Sequence, residues 1–297
     1  MIGEMDMMRL SYPQYSFEQT LDECAAGITG NADLRDKLRS SKSELIAEGA
    51  KYLSASGAGT LHTIPPISTD VCNDPVVINT LIKSELVKIY DTYFVPEKKP
   101  ARKIYDALKN SAKEKCPFCG GIGTPRNLDH FLPKAHFPQF SVLPLNLVPV
   151  CRDCNMDGKA ESFAVKAEDQ IIHPYTDDDR FFMEQWIYAT YNAGDGVGPG
   201  EFEYYTSPPA TWDEDDKQRV RKHFKDFDLA KRYAVKAAEQ LGTVLRQIQC
   251  MEKNDLDSVV IREVILQPGV DAAPFVNHWQ RGMYQALIRI GKPAETP

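Results

Sequence analysis

The sequence lacks the long apolar runs and targeting features that mark several specialised classes of protein. No window approaches the roughly 18 uninterrupted apolar residues of a membrane-spanning helix, so no transmembrane segment and no membrane partner are expected. The first residues show no basic stretch followed by an apolar core. No secretory signal is therefore expected, and the cytoplasm is the predicted location. Internal repeats and long low-complexity tracts are also missing from the 297 residues, whose composition is that of an ordinary globular protein.

The sequence also lacks an excess of basic charge. Its formal net charge is -7, which excludes a protein that coats nucleic acid through bulk electrostatics but leaves room for a local basic cleft. Between residues 113 and 166, seven basic side chains outnumber five acidic ones. This local excess is small, so strong sequence-independent binding of DNA by this chain alone is not expected.

Cysteine is sparse, with seven residues in the chain. An odd number without a secretory signal argues against a disulfide framework. Cys24, Cys72 and Cys250 are scattered, and we interpret them as small hydrophobic side chains. The other four form two Cys-x-x-Cys pairs, at positions Cys116, Cys119, Cys151 and Cys154.

The two cysteine pairs predict a metal site. Four thiolates on two short knuckles suit Zn²⁺, which prefers tetrahedral coordination and soft sulfur donors. Because the protein fills all four positions, the Zn²⁺ is predicted to be structural and to contribute its binding energy to the folding of this small module. Two alternatives stay open, namely a redox role for one pair and simple packing of the thiols as small hydrophobic groups.

Apolar periodicity predicts mainly helical regions on both sides of the cysteines. Asn31 is a predicted cap of one helix that continues to Leu53, and Asp74 with the following proline is a predicted start of another that continues to Tyr90. A shorter helix is expected from residue 101 to about residue 112.

After the cysteines, the β-rich runs 186–191 and 201–206 predict a hairpin, because a glycine-rich segment joins them. A capping-box pattern from Thr211 to Glu214 predicts the start of a long helical region. A last helix is expected within 274–290.

A set of polar residues accompanies the two cysteine pairs in a fixed order. Together with the cysteines, these residues resemble the HNH, or ββα-metal, endonuclease family over the segment from Lys115 to Ala160. The last residue of the motif that names the family is Asn155 here rather than His, and Asn is a common substitute at this position. The residues that carry the resemblance are Asp129, His130, Lys134, Asn146, Asn155 and Lys159.

The resemblance implies a hairpin whose first strand ends at the Asp129-His130 pair and whose second strand lies near residues 145–150. A short helix would then begin near Arg152 and present Asn155. The expected fold class is α+β and mainly helical, with a small ββα-metal core and zinc knuckles between helical flanks. The expected domains are a helical N-terminal region (1–110), the nuclease core (111–185) and a hairpin with a helical C-terminal region (186–297).

Nuclease chemistry explains why such residues are needed. Cleavage of a phosphodiester requires a nucleophile at phosphorus, and a neutral imidazole can take the proton from an attacking water. The resemblance gives this role to His130. A divalent ion can stabilise the phosphate, and Mg²⁺ needs few protein ligands because it keeps several waters. The resemblance makes Asp129 and Asn155 the ligands of a catalytic Mg²⁺ or Mn²⁺.

The remaining motif residues are expected to support this chemistry. Asn146, grouped with the catalytic residues, is expected to brace the loop or to orient His130 through its backbone. Lys134 and Lys159 are expected to contact substrate phosphate, although solvated lysines are an equal alternative. His173 lies in a segment that follows the core in similar proteins, but it is not included among the catalytic residues.

Several functional alternatives stay open. The leading hypothesis is an endonuclease that acts on nucleic acid, with DNA as the expected substrate and RNA as an alternative. A second hypothesis is a non-catalytic, zinc-finger-like module that binds nucleic acid or protein. Standalone HNH proteins with helical flanks also resemble effectors of bacterial anti-phage systems. That architecture implies a partner such as an ATPase and self-association as further expectations, by analogy alone.

Overall fold

The computed structural model describes residues 9–159, 162–194 and 200–290, with the backbone alone described at 157–159. The chain divides into two compact units after Asp177. Both units combine helices with small antiparallel sheets, so the predicted mixture of helix and strand is confirmed. None of the helices in the described ranges is both long and apolar enough to cross a membrane.

The first unit is built from helices that surround two short hairpins. Its helices are α1 (Phe17–Gly27), α2 (Ala32–Ser40), α3 (Lys42–Gly57), α4 (Lys83–Lys88), which continues as a π-helix (Ile89–Phe94), and α5 (Arg102–Ser111), followed by a π-helix over Cys154–Lys159. Its strands are β1 (Val76–Ile78), β2 (Leu81–Ile82), β3 (Asn127–His130) and β4 (Leu147–Val150).

The second unit packs helices against one longer hairpin. Its strands are β5 (Ile187–Asn192) and β6 (Glu201–Thr206), which pair antiparallel as predicted. Its helices are α6 (Arg180–Met183), α7 (Glu214–Asp226), α8 (Leu229–Glu252), α9 (Ser258–Ile261), a π-helix (Arg262–Leu266), α10 (Gln267–Asp271) and α11 (Trp279–Ile290).

One hydrophobic core runs through the first unit. Leu128 and Leu147, from β3 and β4, belong to the same buried cluster as Leu21 of α1 and Leu108 of α5. The boundary predicted near residue 110 therefore lies inside a continuous core, because the small hairpin buries its apolar face against the N-terminal helices. The units divide after Asp177, whereas the sequence predicted divisions after residues 110 and 185.

The helix predicted from Asn31 to Leu53 is two helices. The Asn31 cap is confirmed, because its side chain accepts a hydrogen bond from the backbone N–H of Leu34 at 3.1 Å. The helix breaks at Ser41, where α2 ends and α3 begins. The Ser41 side chain makes no capping hydrogen bond to α3, and both helices keep the same apolar spacing across the break. Periodicity alone therefore did not reveal it.

The predicted start of a helix at Asp74 is wrong. Residues 76–82 form the β1–β2 hairpin, in which Asn79 adopts the left-handed conformation that a tight turn needs, and α4 begins only at Lys83. The Asp74 carboxylate nevertheless caps this helix, because it accepts hydrogen bonds from the Ser84 N–H at 2.7 Å and hydroxyl at 2.6 Å. Asp74 is therefore a helix-capping residue, but the helix that it caps begins after the hairpin.

Replacement of Asp74 by alanine is expected to lower the free energy of unfolding by about 0.5–1 kcal/mol at neutral pH, since the carboxylate is well exposed. Hydrogen bonds from Ser84 hold the pKa of Asp74 below its usual value. The stabilisation is therefore present above the unfolded-state pKa and is lost as the pH falls through the folded-state pKa. Thermal unfolding should show a difference between wild type and Asp74→Ala at pH 7 that narrows below about pH 3.9. A difference that widens in acid would contradict this assignment.

The capping box predicted from Thr211 to Glu214 is displaced. The cap of α7 is Asp213, whose side chain accepts from the backbone N–H of Asp216 at 2.8 Å. Trp212 lies before the helix, where its ring is buried and its indole N–H donates to the Glu184 carboxylate at 2.9 Å. The long helical region also breaks, since α7 ends at Asp226 and α8 begins at Leu229, and the last helix begins at Trp279.

Candidate functional site

The four cysteines of the two pairs lie together, as predicted. Their Sγ atoms are within 4.8 Å of one another, and all four side chains are buried. A tetrahedron of sulfur atoms about 2.3 Å from a central zinc has edges of about 3.8 Å. The Sγ atoms of Cys119 and Cys151 are 3.9 Å apart. The thiol quartet, as we call these four side chains, is thus a donor set that suits a tetrahedral metal such as zinc.

Glycines shape the first knuckle of the thiol quartet. Gly120 and Gly121 follow Cys119 with φ angles of 61° and 79°, a left-handed conformation that glycine adopts without steric cost. The turn brings the Gly121 N–H to the Cys116 carbonyl at 2.9 Å, and the Gly123 N–H donates to the Cys119 Sγ at 3.3 Å. Such N–H···S bonds favour the thiolate form that a metal requires.

Crowding separates the acidities of the thiols. Hydrogen bonds from the other three thiols hold the pKa of Cys151 far below its usual range. Hydrogen bonds with Cys116, Cys119 and Cys151 instead raise the pKa of Cys154. Four buried thiolates repel one another without a cation between them. A divalent cation removes this repulsion, so proton release and metal binding are coupled at the quartet.

The hairpin beside the thiol quartet has the predicted geometry. Strand β3 ends at His130 and pairs antiparallel with β4, so that Asp129 is opposite Val148 and His130 is opposite Leu147. Helical structure begins at Arg152 and continues as the π-helix Cys154–Lys159, which carries Asn155. The second cysteine pair therefore connects the hairpin to the helix.

His130 has a defined hydrogen-bonding pattern. Its Nε2 lies 2.8 Å from the backbone carbonyl oxygen of Ser141, and its side chain is 6% exposed. A carbonyl only accepts, so Nε2 carries the hydrogen in the neutral ring, and Nδ1 is the basic nitrogen. The Ser141 hydroxyl donates to the Leu86 carbonyl at 2.9 Å, which fixes this segment to α4. The backbone thus selects one tautomer of His130.

Tyr90 packs against His130 and lies within the electrostatic field of Asp129. The rings of Tyr90 and His130 pack edge to face, with centroids 4.4 Å apart. Burial, and then the charges of Tyr105, Asp129 and Asp91, raise the pKa of Tyr90 above its usual value. The carboxylate of Asp129 is therefore close enough for its field to act on the residue that packs against His130.

Asn146 braces the loop that follows His130. Its Oδ1 accepts from the Leu132 N–H at 2.7 Å, and its Nδ2 donates to the carbonyls of Leu132 at 3.0 Å and Phe140 at 3.1 Å. Its own carbonyl accepts from the Phe131 N–H at 2.7 Å. Asn146 is fully buried, and these hydrogen bonds hold the loop that follows β3. Its expected grouping with the catalytic residues stays a prediction.

Of the two lysines predicted to bind phosphate, only Lys134 has a described side chain. Lys134 forms an ion pair with Asp91, and its Nζ lies 4.7 Å from the centroid of the Tyr90 ring. The side chain of Lys159 lies outside the described residues. Asn155, the predicted metal ligand on the π-helix, is half-buried.

Two residues near Asn146 were not among the predicted site residues, although the segment that contains His173 was expected to follow the core. The Tyr52 hydroxyl of α3 donates to Asn146 Oδ1, and the His173 Nε2 is hydrogen-bonded to the same hydroxyl. Both residues are fully buried. In the sequence, Tyr52 occupies one of the apolar-face positions of α3 and resembles an ordinary core residue. Its contact with Asn146 joins positions 94 residues apart, which no local pattern reveals.

Comparison with known proteins gives one clear relationship. The chain is 38% identical over 295 residues to the protein named ea31 of Escherichia phage lambda, an alignment that covers 95% of this chain and 97% of the lambda protein. The chain belongs to the ea31 protein family. At this coverage, the similarity of this ea31 family member to the lambda protein extends over both compact units. No protein-family model and no solved structure matches this chain.

Proposed function

We propose that this ea31 family member is a metal-dependent HNH-type endonuclease that hydrolyses phosphodiester bonds of nucleic acid, with DNA as the expected substrate. The observation that carries the proposal is the hydrogen bond from His130 Nε2 to the Ser141 carbonyl. It makes Nδ1 the basic nitrogen of a histidine at the end of a strand that also holds Asp129. An imidazole held in one tautomer can take a proton from water, which is the role that phosphodiester hydrolysis requires of a general base.

In the proposed reaction, His130 acts as the general base. Its Nδ1 takes a proton from a water molecule whose oxygen forms a bond to phosphorus. The bond from phosphorus to the 3′ oxygen breaks, and this oxygen leaves with the electron pair and takes a proton from solvent. The Ser141 carbonyl also stabilises the imidazolium that forms, since Nε2–H remains hydrogen-bonded to it.

Asp129 and Asn155 would hold the catalytic Mg²⁺ or Mn²⁺. One carboxylate and one amide oxygen suit Mg²⁺, because it binds oxygen and keeps several of its waters. When bound, the ion supplies charge stabilisation for the scissile phosphate and the leaving oxygen. The thiol quartet would hold a structural Zn²⁺, because its four protein ligands fill a tetrahedral site.

Lys134 would contact substrate phosphate only after it leaves Asp91. The ion pair and the Tyr90 ring now hold its ammonium group. An incoming phosphate offers a stronger anion than one half-exposed carboxylate, so exchange of partners is favourable. The same exchange leaves the Asp91 carboxylate unpaired, which keeps the net gain in binding small.

A cleavage assay with metal titration tests this proposal. Supercoiled plasmid and single-stranded RNA are incubated with the protein in Mg²⁺, Mn²⁺ or EDTA, and the expected result is cleavage of the plasmid with either metal and none in EDTA. Asp129→Ala is expected to reduce the rate at low Mg²⁺ by about 10–100-fold, with partial recovery at high Mg²⁺. Asp36→Ala, which alters an exposed aspartate of α2, is the matched control and should behave as wild type.

A non-catalytic zinc-binding module is the second candidate function. One observation favours it, namely that His130 is almost fully buried and packs against Tyr90. Zinc retention without cleavage of DNA or RNA in any metal would support this candidate over the nuclease. A role in defence against phage, an ATPase partner and self-association stay predictions from the resemblance.

A further inference from the structure

Three buried polar side chains form a chain of hydrogen bonds that ends at Asn146. The Tyr52 hydroxyl oxygen lies 3.1 Å from the Asn146 Oδ1 and 3.1 Å from the His173 Nε2. Tyr52, Asn146 and His173 are each 0% exposed. Polar groups buried to this degree are costly unless their hydrogen bonds are satisfied, so the direction of each bond carries information.

The backbone fixes the first bond of this chain. The Tyr175 N–H points to the His173 Nδ1 at 3.3 Å, and a backbone amide only donates. The His173 Nδ1 therefore accepts, and in the neutral ring the hydrogen is on Nε2. That hydrogen is donated to the hydroxyl oxygen of Tyr52, which leaves the Tyr52 O–H to donate to Asn146 Oδ1. Burial raises the pKa of Tyr52 well above its usual value, so the hydroxyl keeps its proton.

The far end of the chain fixes the orientation of the Asn146 amide. Oδ1 receives the Tyr52 O–H and the Leu132 N–H, and Nδ2 donates to two carbonyls. Rotation of the amide by 180° would place NH₂ against two donors and oxygen against two acceptors. The hydrogen bonds from His173 to Asn146 thus select one orientation, which in turn holds the backbone of Leu132, two residues after His130.

Both ends of the chain are anchored in other elements. The backbone N–H of His173 donates to the Asp177 carboxylate at 2.6 Å, and the Tyr175 hydroxyl donates to the carbonyl of Leu147 at 3.1 Å. Tyr52 is carried by α3, where its ring packs edge to face on Phe140 with centroids 5.1 Å apart. The N-terminal helices and the segment after the π-helix therefore meet at the loop that follows His130.

We propose that Tyr52 and His173 are positioning residues for His130, which they orient through Asn146 and the backbone of the loop after β3. This inference rests on the proposed nuclease function for its effect on rate. Its structural content, the directed chain from His173 to Asn146, can be measured without any cleavage. The N-terminal helical region thereby contributes a side chain to the support of the candidate active site.

The first test removes one hydroxyl. Tyr52→Phe keeps the ring and is expected to lower kcat by about 10–100-fold, the range typical for residues that orient a reacting group, with KM changed less than about twofold. Tyr204→Phe is the matched control, because it removes a buried hydroxyl that donates to the Trp279 carbonyl at 2.6 Å in the second unit. The control should retain wild-type kcat. A Tyr52→Phe enzyme with wild-type kcat would overturn the proposal.

The second test uses the position of the donated hydrogen. A glutamine side chain places an NH₂ donor near the Nε2 of the histidine that it replaces, whereas asparagine reaches only the Nδ1 position. His173→Gln is therefore expected to retain kcat within about threefold of wild type, while His173→Asn should lose about as much as Tyr52→Phe. Equal loss in both variants, or better activity in His173→Asn, contradicts the assigned direction of the chain.

A third measurement separates this inference from the proposed function. The full-length protein with ¹⁵N-labelled histidine is examined by NMR, and the six histidines are assigned by single substitution. His130 in wild type is expected to show the Nε2–H tautomer, and in Tyr52→Phe its two nitrogen shifts should move toward each other as the ring loses this single state. If wild type cleaves nothing, the nuclease proposal fails while this shift still decides the positioning role. Unchanged His130 shifts in Tyr52→Phe would refute it.

Discussion

His130→Ala is expected to lower the rate of metal-dependent phosphodiester cleavage by about 10²–10⁴-fold, the range that a positioned general base contributes. The loss follows because Nδ1 is the basic nitrogen that the Ser141 carbonyl orients, and alanine offers no proton acceptor in its place. Single-turnover cleavage of plasmid under saturating Mg²⁺ measures the rate, and atomic emission measures zinc in the same samples. Zinc content should not change, because His130 is not a member of the thiol quartet.

His136→Ala is the control for this variant. His136 lies in the loop after β3, is half-buried and packs against Phe163 with ring centroids 5.0 Å apart and planes inclined by 50°, so its removal also costs packing. We expect it to lower thermal stability slightly and to leave the cleavage rate within about threefold of wild type. Equal rates for His130→Ala and wild type would exclude His130 as the general base.

The second large effect is expected from loss of the thiol quartet. Cys116→Ser should abolish zinc binding and lower the midpoint of thermal unfolding strongly, because a structural Zn²⁺ contributes its binding free energy to folding. In small zinc-finger peptides this contribution is about 10–16 kcal/mol, and the continuous core of the first unit should retain part of the fold here. Chelation of wild type with EDTA should produce the same shift, which readdition of Zn²⁺ reverses. Differential scanning calorimetry with zinc analysis measures both quantities.

Cys72→Ser and Cys250→Ser are the matched controls, since both thiols are exposed and lie outside the quartet. Neither substitution should change zinc content or thermal stability. A Cys116→Ser protein that binds one zinc per chain and unfolds at the wild-type temperature would show that the quartet is not a metal site.

The thiol quartet was predictable because its determinants are local. Each Cys-x-x-Cys pair forms a knuckle within four residues, and the glycines after Cys119 supply the left-handed turn. The hairpin was expected from the resemblance to the HNH family, which implied a first strand that ends at the Asp129-His130 pair and a second strand near residues 145–150, and β3 and β4 pair there. The division of a long apolar pattern at Ser41 was not predictable, because the periodicity of α2 and α3 continues across the break.

The support of the site was not predictable because it is non-local. The acceptor for His130 Nε2 is a backbone carbonyl, so the identity of residue 141 carries no information about it. Tyr52 reaches Asn146 only because α3 packs on the hairpin, and a tyrosine among apolar-face positions has no pattern that distinguishes it. A similar argument applies to Asp74, whose partner Ser84 lies beyond an intervening hairpin.

The continuous core of the first unit has a consequence for how this protein can be altered by recombination. Leu128 and Leu147 of the hairpin pack with residues of the N-terminal helices, and Ser141 is bonded to Leu86 of α4. A protein fragment that contains only the cysteine pairs and the hairpin would expose these apolar side chains to water. Exchange between genomes would therefore preserve this fold only if it transferred residues 8–177 together rather than the hairpin segment alone.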